Sequence, residues 1–390
     1  MLTNWLIKLG LIATPYFIIA GRDIRDIKLD VAGVFALAIG LSTIYSHGLK
    51  PQKNKWLMFF IWAACSSYLI APACPVSMYG IDITLFWVWK PMYYFIVFGL
   101  MIFSVSSIEF TYVRIQSLLR WMSWCGFVMA CYTILQYFKL DQIFQTCTDG
   151  TYGHMAGFIG NPTHVSPYIA MIIPICLYLR RRIMTVVMVV AVCLTTSSVA
   201  IIAMGVSILC YFVFQTKKLR RNILLIVLGM CVLGAVWTYL PTELAIKVKD
   251  TGIISDNQRF LYWGQALNDL RIPQLEGSKQ IFPLTGMGLG TYKYLFHFQH
   301  QNSFFQAHNE YVELTYNLGL IGLGLFFGAI AMFFKRNFNI KDKLRMALFA
   351  SFICVAITAG GAFIWQIGTT AWYTCLVVGL LSNDSLGGKA

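Results

Sequence analysis

One histidine in the sequence is placed where it could act on a proton. It lies in the segment Ala307–Tyr311, directly before an apolar stretch that begins at about residue 311. The positive end of a helix tends to keep a neighbouring imidazole neutral, and a neutral imidazole can accept a proton or orient a hydroxyl. His308 is therefore a candidate general base, although a lone histidine at such a position is more often structural.

One arginine is placed where it could bind an anion. Ser255–Gln258 has the Ser-x-x-Gln spacing of a capping box, and apolar residues then recur at helical spacing at Phe260, Trp263, Leu267 and Leu270. This pattern predicts a short amphipathic helix over 256–271, with Arg259 in its first turn. The helix dipole disfavours a cation there, which hints at an anionic partner, and a guanidinium fork matches phosphate oxygens. A solvated or headgroup-contacting arginine stays open as the alternative.

A second cation falls at the end of an apolar segment. Lys90, in Trp89-Lys90-Pro91, is predicted at the outer end of a membrane helix. An ionisable residue at membrane depth is a functional candidate by default. Snorkelling of the ammonium group to lipid phosphate is the alternative for Lys90.

Three alternating glycines, Gly286, Gly288 and Gly290, resemble part of a nucleotide-binding loop, but no strand precedes them and no helix follows. We predict that they form a turn. The predicted outer face has no Asp-x-Asp pair and no His, Cys and carboxylate cluster with metal-ligand spacing. The sequence therefore argues against a metal-dependent nucleotide-sugar transferase, and it implies no soluble cofactor.

The elements that must position these residues are membrane helices. The chain of 390 residues is 58% hydrophobic and 12% charged, with a mean hydropathy of +0.67, which is not a soluble composition. Stretches of roughly 20 apolar residues follow one another, as membrane helices require. We predict an all-α polytopic membrane protein of about twelve spans, at about 3–20, 29–47, 55–71, 86–106, 118–138, 165–179, 183–197, 198–214, 222–240, 311–334, 344–359 and 363–383.

The net charge is +14, and most of the basic residues lie in alternate connections between the predicted spans. The basic residues that follow even-numbered spans are Lys50, Lys53, Lys55, Arg114, Arg120, Arg180, Arg181, Arg182, Lys217, Lys218, Arg220, Arg221, Lys335, Arg336, Lys341, Lys343 and Arg345. In the first outward loop, Lys28 and two arginines are balanced by aspartates. This positive-inside pattern predicts that both termini are cytoplasmic, and it argues against a nucleic-acid partner.

The organisation that follows has three parts. Residues 1–240 form a transmembrane bundle of about nine spans, 241–310 an extracytoplasmic loop subdomain with short helices, and 311–390 a bundle of about three spans. A loop of that length in a compact membrane protein is usually functional. Most of the eleven cysteines lie inside spans, and only Cys74 and Cys147 fall in outward loops, where pairing and non-pairing both stay open.

Several motifs together resemble the O-antigen ligase and polymerase family. His308-Asn309, followed by nine residues and Gly319, is similar to the family's His-[Asn/Ser/Gln]-x9-Gly motif. Arg259 with Trp263, then Pro283–Tyr292, is similar in order to the family's loop from Arg to His. Upstream, Gly157–Pro162 resembles its Gly-x-x-x-Asn-Pro segment. One departure is Thr195–Ser198, where many relatives carry a Ser-Arg pair whose arginine is often assigned to diphosphate contact.

The resemblance implies a GT-C-like, inverting, metal-independent glycosyltransferase in the bacterial inner membrane, with its active site facing the periplasm. The donor would be a glycan linked to undecaprenyl diphosphate, and the acceptor lipid A–core or a growing glycan, among membrane lipids. His308 would position or deprotonate the acceptor hydroxyl, while Arg259, with Lys90 as a second cation, would stabilise the leaving diphosphate. The candidate substrate contacts are Asn161, Asn309 and Glu310.

Three other functions stay open. An O-antigen or exopolysaccharide polymerase would show the same motifs as the ligase that we favour. A polysaccharide transporter or flippase fits twelve spans, but such folds usually show two similar halves, and no such repeat is visible here. A membrane scaffold would leave the spacing of Arg259, His308 and Gly319 as coincidence.

Overall fold

The computed structural model describes residues 2–16, 24–48, 55–67, 85–141, 155, 157–213, 256–270, 282–292, 307–337, 342–362 and 364–383. The predicted span 222–240, the loop cysteines Cys74 and Cys147, and parts of the predicted loop subdomain lie outside these residues. Within the described residues every regular element is helical and none is a strand, which agrees with the predicted all-α class.

The helices follow the apolar segments of the sequence closely. In chain order they are α1 (Leu2–Tyr16), α2 (Ile24–His47), α3 (Lys55–Ser67), α4 (Leu85–Ser107), α5 (Tyr112–Tyr137), α6 (Pro162–Tyr178), α7 (Arg182–Leu194), α8 (Ser198–Val213), α9 (Asp256–Asp269), α10 (Phe282–Thr285), α11 (Glu310–Asn337), α12 (Lys343–Ala359) and α13 (Gly368–Leu381). A 3-10 turn, Gly157–Ile159, precedes α6. The helix predicted at 256–271 is thus α9, and the predicted division near Thr195–Ser198 separates α7 from α8.

Three of the described helices are long and apolar enough to cross a membrane: Ile27–His47, Tyr112–Tyr137 and Glu310–Arg336. Shorter apolar helices cover Leu57–Ser66, Pro91–Ser107, Arg182–Leu194, Ser198–Val213 and Gly368–Leu381. A transmembrane helix needs about 20 residues to cross the whole hydrocarbon layer, and the shorter helices fall below this length. The total of about twelve spans therefore stays a prediction.

The chain divides into two compact units, and the first comprises residues 1–50, 101–253 and 336–390. Its centre is α6, which packs against α5, α7, α8 and α12, and every residue from His164 to Cys176 is buried. α13 closes the unit against α1, because Tyr373 donates its hydroxyl to the Leu11 carbonyl at 2.9 Å and the Trp372 ring fills the space over Gly10. Apolar packing on all sides therefore holds this unit together.

The position of Lys28 differs from the prediction. The sequence pattern assigns it to an outward loop, but α2 begins at Ile24 and includes it. Its side chain is fully buried, and its ammonium group donates to the Pro15 carbonyl. Lys28 therefore does not belong to the charge balance of a loop.

The second unit comprises residues 51–100 and 254–335. Aromatic side chains join its apolar helices: Phe60 of α3 lies 5.9 Å from Phe95 of α4 and 5.2 Å from Phe326 of α11, measured between ring centroids. The same unit contains α9, α10 and nearly all of α11, and so it holds most of the residues with candidate chemistry.

Candidate functional site

A small hydrophobic cluster, here called the loop cluster, joins three segments of the second unit. Its buried members are Ala266 of α9 and Leu270 just after it, Met287 and Tyr292 from the glycine-rich turn, and Ala307 just before α11 and Tyr316 within it; Tyr262, Trp263 and Val312 pack against them. Tyr292 and Tyr316 meet edge to face, with ring centroids 5.2 Å apart. The helix with Arg259 and the segment with His308 are thus parts of one packed body.

One directed hydrogen bond joins these two segments. The indole Nε1 of Trp263 donates to the carbonyl of Ala307 at 2.7 Å, and Ala307 directly precedes His308. Position 259 lies one turn before position 263, about 6 Å along the same face of α9. The structure does not describe the side chain of Arg259. Its backbone position, however, is on the same face of α9 as that of Trp263.

The glycine-rich turn is confirmed as a turn. Gly286, Gly288 and Gly290 all have left-handed φ values, of 73°, 107° and 82°, which other residues adopt only at a cost. A Cβ at Gly290 would lie 2.8 Å from Cγ of Pro91 in α4. The residue after Lys90 therefore packs against the turn, although the side chain of Lys90 is itself outside the described residues.

A break in α11 receives this turn. Gly319 has φ 65° and ψ −169°, which divides α11 into two helical segments, 310–318 and 320–337. The Met287 amide donates to the carbonyl of Tyr316 and the Gly288 amide to that of Asn317, both at 2.9 Å. In a continuous helix these carbonyls would accept from residues 320 and 321. The span predicted at 311–334 is therefore present, but it is broken at Gly319.

The side chain of Asn317 adds a third bond to the turn. Its Oδ1 accepts from the Tyr292 amide at 3.0 Å and lies 3.4 Å from the Thr291 hydroxyl. A Cβ at Gly319 would lie 2.3 Å from the Leu284 carbonyl oxygen, and one at Gly286 would lie 2.5 Å from the Asn317 backbone. The glycines on both sides of the contact are thus required for close approach of two backbones.

His308 is half-buried and has a left-handed backbone, with φ 52°. Histidine adopts this region more readily than most non-glycine residues, yet the conformation still carries a cost. The buried Ala307 before it and the helix start after it hold the backbone in place. The backbone that carries the imidazole is therefore fixed on both sides.

Two of the predicted substrate contacts also cap helices. The Oδ1 of Asn309 accepts from the amides of Tyr311 at 3.0 Å and Val312 at 3.2 Å, at the start of α11. The Oδ1 of Asn161 accepts from the amide of Thr163 at 2.8 Å, at the start of α6 in the first unit. Capping satisfies amides that have no partner within the helix. It gives both asparagines a structural role, whatever else they contact.

Carboxylates are collected near the loop cluster. Glu310 and Glu313 lie in the first turn of α11, where the helix dipole favours negative charge. Burial raises the pKa of the Tyr292 phenol well above its usual range, and the charges of Glu313 and Asp269 add to the rise. Tyr292 therefore stays neutral at physiological pH. Among the described residues no three His, Cys, Asp or Glu side chains come together as a metal site would require.

Thr195–Ser198, where the motif comparison expects a Ser-Arg pair, forms the turn between α7 and α8. Thr196 has a φ of 54°, and the Thr195 hydroxyl donates to the Val192 carbonyl at 2.6 Å. The segment belongs to the first unit and closes a helical hairpin with hydroxyl side chains.

Sequence reasoning missed the residues that join the segments. The sequence marks Trp263 as an apolar helix position and as a neighbour of Arg259 in the family resemblance, but not as a hydrogen-bond donor, and it gives no sign of the role of Asn317. One signal was available, because Gly319 falls where the neighbouring residues are apolar and helical, which is a costly place for glycine.

Residues 183–327 match a family model described as O-antigen ligase. The matched range contains Arg259, the glycine-rich turn, His308 and Gly319, whereas Lys90 and Asn161 precede it. None of the curated proteins compared with the chain matches it. With its apolar helices and this match, the chain is an integral membrane protein whose residues 183–327 are similar to the O-antigen ligase family.

Proposed function

We propose that this protein is an inverting, metal-independent glycosyltransferase that moves a glycan from undecaprenyl diphosphate to an acceptor hydroxyl. We favour the O-antigen ligase, which attaches O-antigen to lipid A–core, over an O-antigen polymerase. The observation that carries the proposal is the bond from Trp263 to Ala307. It joins the helix of Arg259 to the residue before His308, inside the range matched to the O-antigen ligase family.

In the proposed reaction the acceptor oxygen attacks the anomeric carbon, and the bond from that carbon to the diphosphate oxygen breaks. The hydroxyl proton passes to His308, a general-base contribution worth about 10²–10⁴ in rate. Negative charge grows on the leaving diphosphate, which Arg259 stabilises with its planar fork and Lys90 with its ammonium group. Glu310 and Glu313, in the first turn of α11, favour the imidazolium that forms.

Glu310 and the two capping asparagines are proposed to contact sugar hydroxyls. The capping bonds use the Oδ1 atom of each asparagine, and an asparagine amide also has an NH₂ group that can donate to a sugar oxygen.

The proposal places both termini in the cytoplasm of a bacterial cell and residues 241–310 in the periplasm. This arrangement rests on the positive-inside charge pattern. A single cysteine introduced as Gln301→Cys, in a background without native cysteines, should react with a thiol reagent that does not cross the inner membrane. Labelling only after the inner membrane is made permeable would contradict the arrangement.

The reaction is tested with purified protein, undecaprenyl-diphosphate-linked glycan and lipid A–core, in the presence of a chelator. A ligase forms glycan-modified lipid A–core and needs both substrates. A polymerase lengthens the glycan on its lipid carrier when the donor is present alone. Loss of all transfer in chelator, with recovery on addition of Mg²⁺ or Mn²⁺, would contradict the metal-independent mechanism.

A further inference from the structure

The first unit contains a cavity that the proposed reaction does not use. Its volume is about 730 Å³, and it lies among the start of α5, the end of α6 with the following turn, the end of α8 and the start of α12. Pockets of this size hold small molecules or lipid headgroups in other proteins. The positive-inside pattern assigns all four of these helix ends to the cytoplasmic side.

The rim of the cavity is cationic. Arg120 from α5, Arg180 and Arg181 from the α6–α7 turn, and Lys343 from α12 line it, and none of the described residues that line it is a carboxylate. The nearby Asp342 is engaged at the start of α12, where it accepts from the amides of Leu344 at 2.9 Å and Arg345 at 3.2 Å and pairs with the Arg345 side chain. The rim therefore carries a concentrated positive charge.

The lining of the cavity combines hydrogen-bonded polar groups with apolar side chains. The Tyr178 hydroxyl accepts from Nε2 of Gln116 at 2.6 Å and lies 3.0 Å from the Tyr112 hydroxyl. Leu177, Tyr211 and Phe212 supply apolar lining, and Tyr211 belongs to a buried cluster with Ala347 and Ala350. A free phosphate ion would use only the polar part, whereas an amphiphile would use both.

The turn that carries two of the arginines is closed by backbone hydrogen bonds. Arg180 has a φ of 57°, its amide donates to the Leu177 carbonyl at 3.1 Å, and the Arg181 amide donates to the Cys176 carbonyl at 3.0 Å. This is a Schellman pattern, which usually has glycine where Arg180 stands. The backbone therefore holds two guanidinium-bearing residues at the cavity mouth at some conformational cost.

We propose that this cavity binds the phosphate-bearing headgroup of an anionic phospholipid of the cytoplasmic leaflet. Basic pockets between membrane helices on the cytoplasmic side are suited to anionic headgroups. In this proposal the cationic side chains bind the phosphate, and the hydrogen-bonded side chains of Tyr112, Gln116 and Tyr178 contact the glycerol oxygens. The apolar lining contacts the first carbons of the acyl chains. The site is separate from the residues proposed for glycan transfer, so either proposal can fail alone.

The test compares two double variants that remove equal charge, each with one arginine from α5 and one from Arg181–Arg182, where the α6–α7 turn meets α7. Arg120→Gln with Arg181→Gln changes the cavity, and Arg114→Gln with Arg182→Gln changes α5 and α7 outside its lining. Each protein is purified in neutral detergent, and binding of phosphatidylglycerol or phosphatidylcholine is measured by native mass spectrometry and by the shift in thermal unfolding. Wild type should prefer phosphatidylglycerol. The cavity variant should lose at least about tenfold in affinity, and the control variant no more than about twofold.

Equal losses in the two variants would overturn the proposal, as would equal binding of the two lipids. Inorganic phosphate that displaces phosphatidylglycerol and stabilises the protein equally would show a site for a free ion, which also overturns it. If the cavity variant does not fold, Lys343→Gln replaces it, with an expected loss of about threefold. Affinity for phosphatidylglycerol unchanged in that variant would count against the cavity.

Discussion

Helices α6 and α11 begin alike and continue differently. Each starts at an asparagine cap, Asn161 or Asn309, and each cap follows a left-handed residue, Gly160 with φ 88° or His308 with φ 52°. α6 then contains Pro167 and Pro174 without a break in its helical range. α11 breaks at one glycine, Gly319.

The two helices are held by different kinds of interaction. Apolar contacts around α6 are numerous and undirected, so no single one decides its position. The first segment of α11 shares the loop cluster and is also held by a few directed hydrogen bonds, from Trp263 to the Ala307 carbonyl and from the glycine-rich turn to the Tyr316 and Asn317 carbonyls. Single substitutions at the start of α11 should therefore lower glycan transfer strongly, and matched substitutions elsewhere should not.

The largest effect is expected for Gly319→Ala. The conformation of Gly319 is essentially restricted to glycine and costs another residue roughly 1–3 kcal/mol, and a Cβ would lie 2.3 Å from the Leu284 carbonyl oxygen. The variant should show no detectable transfer and a reduced amount in the membrane. Gly324→Ala is the control, because a Cβ there meets nothing within 4 Å. Wild-type transfer by Gly319→Ala would show that the break is dispensable.

The next prediction distinguishes a catalytic role of the His308 imidazole from a purely structural role of this left-handed residue. His308→Gly removes the imidazole and also relieves the left-handed backbone, so a purely structural histidine should be replaceable by glycine. If His308 acts on the acceptor, transfer should fall about 10²–10⁴-fold while donor binding and thermal stability persist. His308→Ala should show the same loss of turnover. Lys139→Gly, at φ 57°, is the control for backbone relief and should keep wild-type transfer.

Arg259→Lys tests geometry at constant charge. A lysine cannot reproduce a bidentate contact with a diphosphate, and loss of one charge-assisted hydrogen bond should lower transfer about tenfold to a hundredfold. Membrane level should not change. Arg182→Lys in the first unit should be neutral. Near-normal transfer by Arg259→Lys would make it a surface cation only.

A smaller effect is expected for Trp263→Phe. It keeps the ring in the loop cluster but removes the donor to the buried Ala307 carbonyl, which costs about 1–3 kcal/mol. The unfolding temperature and the transfer rate should both fall. Trp62→Phe, at a side chain that is 69% exposed, should leave both unchanged. Unchanged transfer by Trp263→Phe would remove the bond from the proposed arrangement.

The smallest effect distinguishes capping from substrate contact at the two asparagines. Asn309→Asp and Asn161→Asp keep the capping oxygen and favour the helix dipole, so neither should lower stability. If capping is the whole role, transfer is unchanged in both. A fall in transfer with unchanged unfolding temperature would show that the amide NH₂ contacts substrate at that position.

The sequence predicts the helices well where the signal is local. Hydropathy places most of the described helices within a few residues, and the capping-box pattern gives α9 its first residue, Asp256. Lys28 shows the limit of this reasoning, because its charge suggested a loop while the fold supplies a carbonyl partner inside the bundle.

The arrangement of the candidate site depends on partners far apart in sequence and could not be predicted in the same way. The break at Gly319 exists because amides about 30 residues earlier, at Met287 and Gly288, dock on the carbonyls before it. The left-handed backbone of His308 and the role of Trp263 likewise depend on the contact between segments. The motif spacing indicates that these residues belong to one site, but it does not predict the hydrogen bonds that join their segments.

The break in α11 also has a consequence for how the protein reaches its place in the membrane. Backbone groups in lipid must be satisfied at every stage, and glycine adopts helical and left-handed conformations almost equally. Before the turn docks, residues 310–337 can therefore insert as one unbroken helix in which the Tyr316 and Asn317 carbonyls accept from amides one turn later. When the Met287 and Gly288 amides dock, they replace the helix amides as donors to the Tyr316 and Asn317 carbonyls. Insertion into the membrane and assembly of the site are then two separate steps.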